Sequence, residues 1–284
     1  MKDETGNILI ADAGGTGTHW CLIDKRGAVA GEHKGPAINP AVMTREDISA
    51  AIMSAAYLFP DAQEVHFYGA GCIGEAAQTI CDLLLADVSR CEVKVNSDIL
   101  AAARSLFGEE SGIVCIMGTG SNSCLYERGE LKYNVPPLGY ILGDEGSGAA
   151  IGKRFLKKYM RGGFDEDICR QLAQEADLTP DTIYKCVYRT PGANKYLASM
   201  TRLLKRHIEY PEISEVVEAE FNTFFSNIVS AYEGAQKLPI GFVGSVAYHF
   251  SSILRRVAET HRFRISKILQ TPMPGLIEYH ACKV

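Results

Sequence analysis

The stretch ILIADAGGTGTHWCLID, residues 8 to 24, decides the fold of this chain. An apolar run ends at Asp12, and the residues that follow it up to Gly17 are almost all glycine and threonine. This pattern predicts a strand, a tight turn and a second strand that begins near Thr18. Glycines let a turn adopt positive φ and bring backbone N–H groups close to a ligand, and threonines add hydroxyl donors. The turn therefore suits a phosphate, with Asp12 placed to hold a hydrated Mg²⁺ ion beside it. The alternative is an ordinary Gly-rich hairpin turn.

The same unit returns about a hundred residues later. GIVCIMGTGSNSCLYERGELKY, residues 112 to 133, aligns with the first copy so that Gly118–Gly120 falls on Gly15–Gly17. In this alignment Cys115 takes the place of Asp12, so the second copy has no carboxylate at that position. An internal repeat is stronger evidence than either copy alone, and it predicts two homologous domains.

The rest of the chain predicts alternating helices and strands. An amphipathic helix over 44 to 59 opens with Thr44 and Asp47 at a capping-box spacing. A strand over 91 to 98 leads into a helix over 99 to 107, and residues 165 to 235 have only helical patterns. Ser147 or a neighbour begins a helix whose N–H groups can face an anion. These elements predict an α/β layer structure.

Composition restricts the partners and the compartment. The net charge of −5 argues against a nucleic-acid or acidic-membrane partner. The nine cysteines are odd in number and contain no C-x-x-C pair, which favours a reducing compartment. The N-terminal residues MKDETGN are charged and predict no signal peptide, and no apolar run is long enough to span a bilayer. We therefore expect a cytoplasmic protein.

Four motifs carry a resemblance that covers nearly the whole chain: ADAGGTGT (11–18), GTGSNS (118–123), LGDEGSG (142–148) and FVGS (242–245). In this order they resemble the superfamily of acetate and sugar kinases, actin and heat-shock chaperone ATPases. Within it, the chain is similar to the family of N-acetylglucosamine kinases and benzoyl-CoA reductase activator ATPases. The resemblance implies two duplicated ribonuclease-H-like (actin-like ATPase) α/β domains, 1–107 and 108–284, with a nucleotide cleft between them. The last helix, near Pro274, is a candidate to return to the first domain.

The resemblance also implies ATP and Mg²⁺ as cofactors and a set of site residues. Asp98 matches the aspartate beside the acceptor hydroxyl, the general base, while Asp144 and Asn39 match sugar-binding residues. The Asn39 match depends on one loop residue. Asp12 matches the first phosphate motif, and because the second copy has no acid at that position, we expect Asp12 to be the residue that contacts the metal. The positions that match the phosphate and adenosine motifs are Gly14, Gly15, Thr16, Gly17, Thr18, Gly118, Thr119, Gly120, Ser121, Asn122, Gly244 and Ser245.

The function that these matches imply is ATP-dependent phosphorylation of a small amino sugar, N-acetylglucosamine to its 6-phosphate first, with glucosamine or N-acetylmuramate as substitutes. One alternative is an ATPase activator of an iron–sulfur dehydratase or reductase. Another is a sugar-binding protein without turnover, which the presence of both Asp12 and Asp98 disfavours. FYGAGC (67–72) stands where family kinases often carry a serine–glycine turn, so contacts to the acceptor differ. Whether the protein is a homodimer stays open.

Three of these features also have purely structural interpretations. Asp98 could cap the helix that follows it, since aspartate is favoured at that position. Asp144 and Glu145 could form a solvated turn in a Gly-rich loop. Gly244 and Ser245 could be only a strand-to-helix turn. For Asp98 the catalytic and capping roles are compatible.

Overall fold

The computed structural model describes residues 6–87 and 91–283, so the charged residues used above to predict the absence of a signal peptide lie largely outside it. The chain folds as two compact units: Met1–Glu109 with Thr271–Val284, and Glu110–Gln270. In the part of the chain that the structure describes, no helix combines the length and apolar character that crossing a membrane would require.

The first unit is built on a mixed sheet with the strand order β3-β2-β1-β4-β5. The first three strands form the predicted antiparallel meander, and the last two run parallel to β1. Leu9, Ala11 and Ala13 pack with Trp20 and helices on one face, while Ile8 and Ile10 face the other. The elements are β1 (Asn7–Ala13), β2 (Thr18–Ile23), β3 (Val29–Gly35), α1 (Arg45–Ala56), β4 (Ala62–Gly69), α2 (Glu75–Asp87), β5 (Glu92–Ser97) and α3 (Asp98–Phe107).

The second unit repeats this topology with the strand order β10-β9-β6-β7-β8 and a larger helical layer. Its strands are β6 (Gly112–Met117), β7 (Ser121–Glu127), β8 (Glu130–Tyr133), β9 (Ile240–Val243) and β10 (Ile265–Leu269). Its helices are α4 (Gly139–Leu142), α5 (Gly148–Met160), α6 (Glu166–Glu175), α7 (Pro180–Tyr184), α8 (Ala193–Arg206), α9 (Pro211–Asn227), α10 (Ser245–His249) and α11 (Ser251–Thr260).

The predicted duplication is visible in the strand pairings, but the sequence alignment within the first strand is wrong by one residue. Ala13 pairs with Thr18 where the first hairpin closes, and Met117 pairs with Ser121 in the second. The first loop is thus one residue longer, and Ile116, not Cys115, is the counterpart of Asp12. Cys115 instead faces the helical core, as Ala11 does. A shift of one residue along a strand moves a side chain to the opposite face.

The last helix, α12 (Met273–Ala281), packs on α3 and β1 of the first unit. Gly275 permits this contact, because a Cβ atom there would lie 2.3 Å from the carbonyl oxygen of Ser105. His280 of α12 reaches the hydroxyl of Tyr68 in β4, with 2.9 Å between Nε2 and Oη. Arg104 of α3 donates to the same hydroxyl at 2.7 Å. A buried polar cluster therefore joins α12, α3 and the sheet.

Candidate functional site

Asp12 lies near the carboxyl end of β1, on the face of the sheet that carries Ile10 and Tyr68. The loop after it is exposed from Gly14 to Thr16, and the N–H of Gly14 donates to the carbonyl of Gly17 at 2.9 Å. Thr18 differs from the rest of the predicted phosphate motif. Its side chain is buried on the opposite face, and its hydroxyl has no hydrogen-bond partner among the described residues. The exposed part of the loop is therefore Gly14–Thr16.

Asp98 is the first residue of α3, at the carboxyl end of β5. The N-cap is Ser97, so the capping prediction for Asp98 is wrong by one position. Its Oδ1 accepts the N–H of Ile99 at 2.9 Å, so the carboxylate lies at the positive end of the helix dipole. Burial nevertheless raises the pKa of the Asp98 carboxyl above its ordinary value. A carboxylate in this position is both fixed in place and more basic than usual.

Asp12 and Asp98 interact electrostatically. Burial, and then the negative charge of Asp98, raise the pKa of Asp12 to about 7. Among the residues that the structure describes, no cationic side chain contributes to the pKa shift of either carboxyl group. Mg²⁺ is usually held by one or two carboxylates together with waters and substrate phosphates, so this uncompensated pair fits the ion that the fold family implies. Asp12 would hold it, and the ion would supply positive charge to neutralise phosphate oxygens.

A second group of residues in the first unit surrounds Asp98. The negative charge of Asp98 adds to burial in raising the pKa of the Cys72 thiol to about 12, so Cys72 lies near it. Gly71, in the same turn, approaches Asn39, because a Cβ atom on Gly71 would lie 3.3 Å from Asn39 Oδ1. Asn39 Oδ1 also accepts the N–H of Ala41 at 3.0 Å, which forms a local Asx turn. The structure thus brings Asp98, Cys72 and Asn39 into one neighbourhood.

Sequence reasoning missed two side chains of this region. Cys72 escaped notice because its contact with Asp98 is long-range. Asn96 lies in register with Tyr68, and through it with Asp12, on the same face of the sheet. Its side-chain Nδ2 is buried without a hydrogen-bond partner among the described residues. Asn96 could have been found from the sequence, because it is a polar residue at the end of a strand, two positions before Asp98.

In the second unit, the predicted second phosphate loop lies beside the predicted adenosine motif. The loop, Gly118–Gly120, follows β6, and Gly244 follows the neighbouring parallel strand β9. Gly244 has φ +128°, and a Cβ atom on it would lie 2.2 Å from the carbonyl oxygen of Met117. Only glycine fits at position 244, because any side chain would clash with the Met117 carbonyl. Ser245 then begins α10 with an exposed side chain.

The start of α5 does not offer the anion site that the sequence suggests. Ser147 is the N-cap as predicted, and its hydroxyl accepts the N–H of Ala150 at 3.1 Å. The N–H of Gly148 donates to the carbonyl of Gly118 at 2.8 Å, and the N–H of Ala149 donates to that of Thr119 at 3.0 Å. The first N–H groups of the helix therefore bind the carbonyls of the Gly118–Gly120 loop instead of an anion.

The remaining predicted residues of the second unit lie close to this loop. Ser121 donates its hydroxyl to the carbonyl of Glu145 at 2.8 Å. Asn122 pairs with Ile116 across the hairpin, and its Oδ1 accepts from the side-chain amide of Asn134 at 2.9 Å. Asp144 is 9% exposed and lies at φ +56°, and the backbone N–H groups of Ser121 and Gly139 are near enough to its carboxyl group to oppose the rise in its pKa. Burial raises its pKa.

Comparisons with known proteins agree with this architecture. No protein-family model matches the sequence, and no curated protein matches it. Solved structures do match. A Porphyromonas gingivalis protein provisionally named an N-acetylglucosamine kinase has a TM-score of 0.91 and 39% identity, covering 97% of this chain and 99% of that one. A protein from Chromobacterium violaceum with the same provisional name has a TM-score of 0.77 and 18% identity, over 97% and 99%.

A more distant match shows the fold alone. It is a ROK-family glucokinase from Streptomyces griseus, solved with glucose and AMPPNP, with a TM-score of 0.57 and 14% identity over 96% of this chain and 98% of that one. The repeated sheet topology and these matches define a two-domain protein of the actin-like ATPase fold. The chain belongs to the N-acetylglucosamine kinase family, a group of sugar kinases with this fold.

Proposed function

We propose that the protein transfers the γ-phosphoryl group of ATP to an amino sugar, converting N-acetylglucosamine to its 6-phosphate, with Asp98 as the general base. The observation that carries this proposal is the carboxylate pair of Asp12 and Asp98 at the carboxyl ends of β1 and β5, the two parallel strands on either side of β4, in a chain of this family. Two carboxylates kept without a cationic partner are costly to bury unless a ligand compensates them.

The two carboxylates have different tasks. Asp98 accepts the proton of the sugar hydroxyl, and its raised pKa makes it a better base than an ordinary aspartate. The N–H of Ile99 holds one carboxylate oxygen in place, which leaves Oδ2 for the acceptor. Asp12 holds Mg²⁺. Phosphoryl transfer has a loose transition state, so positioning and charge stabilisation supply most of the rate.

The two Gly-Thr loops are proposed to bind the phosphates of ATP. The exposed Gly14–Thr16 turn and the Gly118–Gly120 turn each present backbone N–H groups, and Thr16 and Thr119 add hydroxyls. Gly244 and Ser245 bind the adenosine. This assignment is supported by the close approach of Gly244 to Met117, the last residue of the strand that leads into the second loop. Backbone donors suit a phosphate site in a chain whose net charge is −5.

The surroundings of Asp98 favour an uncharged N-acetyl sugar as the acceptor. The two turns that meet at Asn39 and Gly71 expose Val42, at 80%, and Ile73, at 73%. Apolar side chains beside Asn39 suit an acetamido group, with its methyl on the apolar rim and its amide on the asparagine. An N-acetylmuramate carboxylate would instead meet Asp12 and Asp98, whose charge is offset by no cationic side chain within 6–87 and 91–283. Glucosamine would lose the methyl contact.

A coupled ADP-release assay tests this proposal across N-acetylglucosamine, glucosamine, N-acetylmuramate and glucose. We expect N-acetylglucosamine to give the highest kcat/KM, with phosphate on O6 by ³¹P NMR. ATP hydrolysis at the same rate with and without sugar would show that the protein is no sugar kinase.

The cysteines argue against the activator alternative. Cys115 and Cys124 are the pair that interact electrostatically, but both are buried in the strands β6 and β7. A cluster shared by two subunits needs cysteines at the surface, and these two cannot serve.

A further inference from the structure

We infer that a cavity between α5 and α9 is a separate binding site for a phosphate monoester. The cavity has a volume of about 330 Å³ and lies within the second unit. It is distinct from the Gly118–Gly120 loop, which contacts the first residues of α5. Lys157, which lines the cavity, is nine residues beyond Gly148, or roughly 13 Å along the helix axis. This inference does not depend on the proposed kinase function.

One side of the cavity is cationic and the other is mostly apolar. The cationic side comes from α5 and its C-cap and consists of Arg154, Lys157, Lys158 and Arg161. The opposite side belongs to α9 and consists of Glu215, Val216 and Ala219. A cleft lined by charges of one sign attracts ions of the opposite sign, so the ligand of this cavity is an anion.

Two of the cations are held in place by α9. Arg154 Nε donates to Oε1 of Glu220 at 2.5 Å, and Glu220 is only 7% exposed. In the part of the chain that the structure describes, this is the one hydrogen bond of the Arg154 side chain, so Nη1 and Nη2 are available to a ligand. Lys158 Nζ donates to the carbonyl of Glu212 at 3.2 Å and lies 3.6 Å from Oε2 of Glu215. Both cations are therefore positioned before a ligand binds.

The other two cations are not neutralised by the protein. Lys157 and Arg161 are exposed, and within 6–87 and 91–283 their side chains form neither an ion pair nor a hydrogen bond. The cavity therefore has an excess of two positive charges. A phosphate monoester carries a charge of about −1.5 to −2 at pH 7. A carboxylate or a sulfate ester carries only one negative charge, so the phosphate monoester matches the cavity better.

A helix terminus alone does not explain these cations. The last turn of a helix favours positive charge, which accounts for Lys157 and Lys158. Arg154 lies before that turn. The residues also form two i, i+4 pairs of like charge, Arg154 with Lys158 and Lys157 with Arg161, and such pairs destabilise a helix. An anion bound between the four side chains removes this repulsion.

The size and the apolar side of the cavity favour an ester over free phosphate. Ligand sites for small molecules usually have volumes of about 300–1,000 Å³, so this cavity has room for several atoms beyond a phosphate group. Val216 is buried and Ala219 is half-buried, and both present carbon atoms to the cavity. The phosphate would contact the α5 cations while the carbon atoms of the ester pack on α9.

The experiment is calorimetric titration of the full chain with glucose 6-phosphate and, separately, with inorganic phosphate. We expect Lys157→Gln combined with Arg161→Gln to weaken glucose 6-phosphate binding by about 10-fold to 100-fold, the usual effect of losing charged hydrogen bonds. The matched control is Lys195→Gln combined with Arg202→Gln, which removes the same charge from exposed positions of α8 outside the cavity. Binding to this control should change less than about twofold.

Ala219→Leu tests the cavity itself, because the larger side chain fills it and leaves every charge in place. We expect the same weakening, and this variant also provides the test if the charge variant does not fold. A parent that binds no glucose 6-phosphate, or equal affinities in the parent and these variants, would overturn the inference. Equal affinities of the parent for the two probes would make free phosphate the ligand, and the assignment to an ester would be wrong. These titrations require no turnover, so a failure of the proposed function would leave their outcome unchanged.

Discussion

The carboxylate of Asp98 acts on that of Asp12 across the intervening strand β4, and together with burial it raises the pKa of Asp12 to about 7. Asp98 itself keeps one oxygen on the N–H of Ile99. The pair is therefore asymmetric: one carboxylate is anchored by a helix terminus, and the charge of the other is stabilised by neither a cation nor a helix terminus in the described part of the chain. This asymmetry divides the roles of base and metal ligand in the predictions that follow.

Asp98→Asn should retain nucleotide binding and lose most turnover. An amide cannot accept the hydroxyl proton, and general-base help is typically worth ~10²–10⁴-fold in rate. The measurement is kcat in the coupled assay beside the affinity for Mg·ADP. Near-parent turnover would remove Asp98 from the role of base. The variant's unfolding midpoint should be recorded, because the carboxylate also holds Ile99 at the start of α3.

Asp12→Asn should make the metal-free protein more stable at neutral and higher pH. A folded-state pKa of about 7 against an ordinary 3.8 means that stability is lost as pH rises from about 4 through 7. The shift corresponds to roughly 4 kcal/mol at most, at about 1.4 kcal/mol per pKa unit. Urea unfolding in EDTA at pH 4 to 8 measures it. We expect the variant to be more stable than the parent at pH 8 and equal at pH 4, so parallel curves would contradict the assignment.

His280→Gln should make the protein more resistant to acid. Burial, and then the charges of His66, Arg104 and two lysines, lower the pKa of His280 to about 2, and burial chiefly lowers that of His66 to about 4. Both are neutral in the fold, so stability is complete above pH 6.5 and is lost as pH falls below it. Below pH 6.5 each histidine lowers the free energy of unfolding by about 1.4 kcal/mol per pH unit, until the pH reaches the folded-state pKa of that histidine.

Glutamine can still accept the hydroxyl proton of Tyr68, which the Arg104 donor leaves available, without titrating. Denaturant unfolding at pH 7, 5.5 and 4.5 should show that the free energy of unfolding falls less with decreasing pH for His280→Gln than for the parent. His249→Gln, at an exposed position, is the control and should follow the parent. Equal losses in all three proteins would mean that the cluster does not govern acid stability.

Gly244→Ala should destabilise the second unit and weaken nucleotide binding. The new Cβ atom would lie 2.2 Å from the Met117 carbonyl oxygen at a φ of +128°, so strain of about 1–3 kcal/mol is expected. Thermal unfolding and Mg·ADP titration measure the two effects. Gly15→Ala is the stability control, because nothing lies within 4 Å of its Cβ position. A Gly244→Ala protein as stable as the parent would show that the backbone can relax there.

The features predicted correctly from sequence are those with local causes. Thr44 caps α1 through the N–H of Asp47, and Ser147 caps α5 through the N–H of Ala150, because neighbouring residues alone determine these structures. The counterpart of Asp12 was misassigned because one inserted loop residue changes the register, and sequence matching did not detect where it falls. The use of the α5 N–H groups and the approach of Cys72 to Asp98 depend on long-range packing, which periodicity does not encode.

The first unit is formed by two segments that are far apart in the sequence, and this affects the order in which the two units fold during synthesis. Residues 110–270 emerge from the ribosome complete, whereas the first unit still lacks the helix that brings His280 to Tyr68. Domains commonly fold in the order of synthesis. Here we expect the reverse order, with the N-terminal sheet waiting for residues 271–283 while its apolar α3 face is exposed to chaperones.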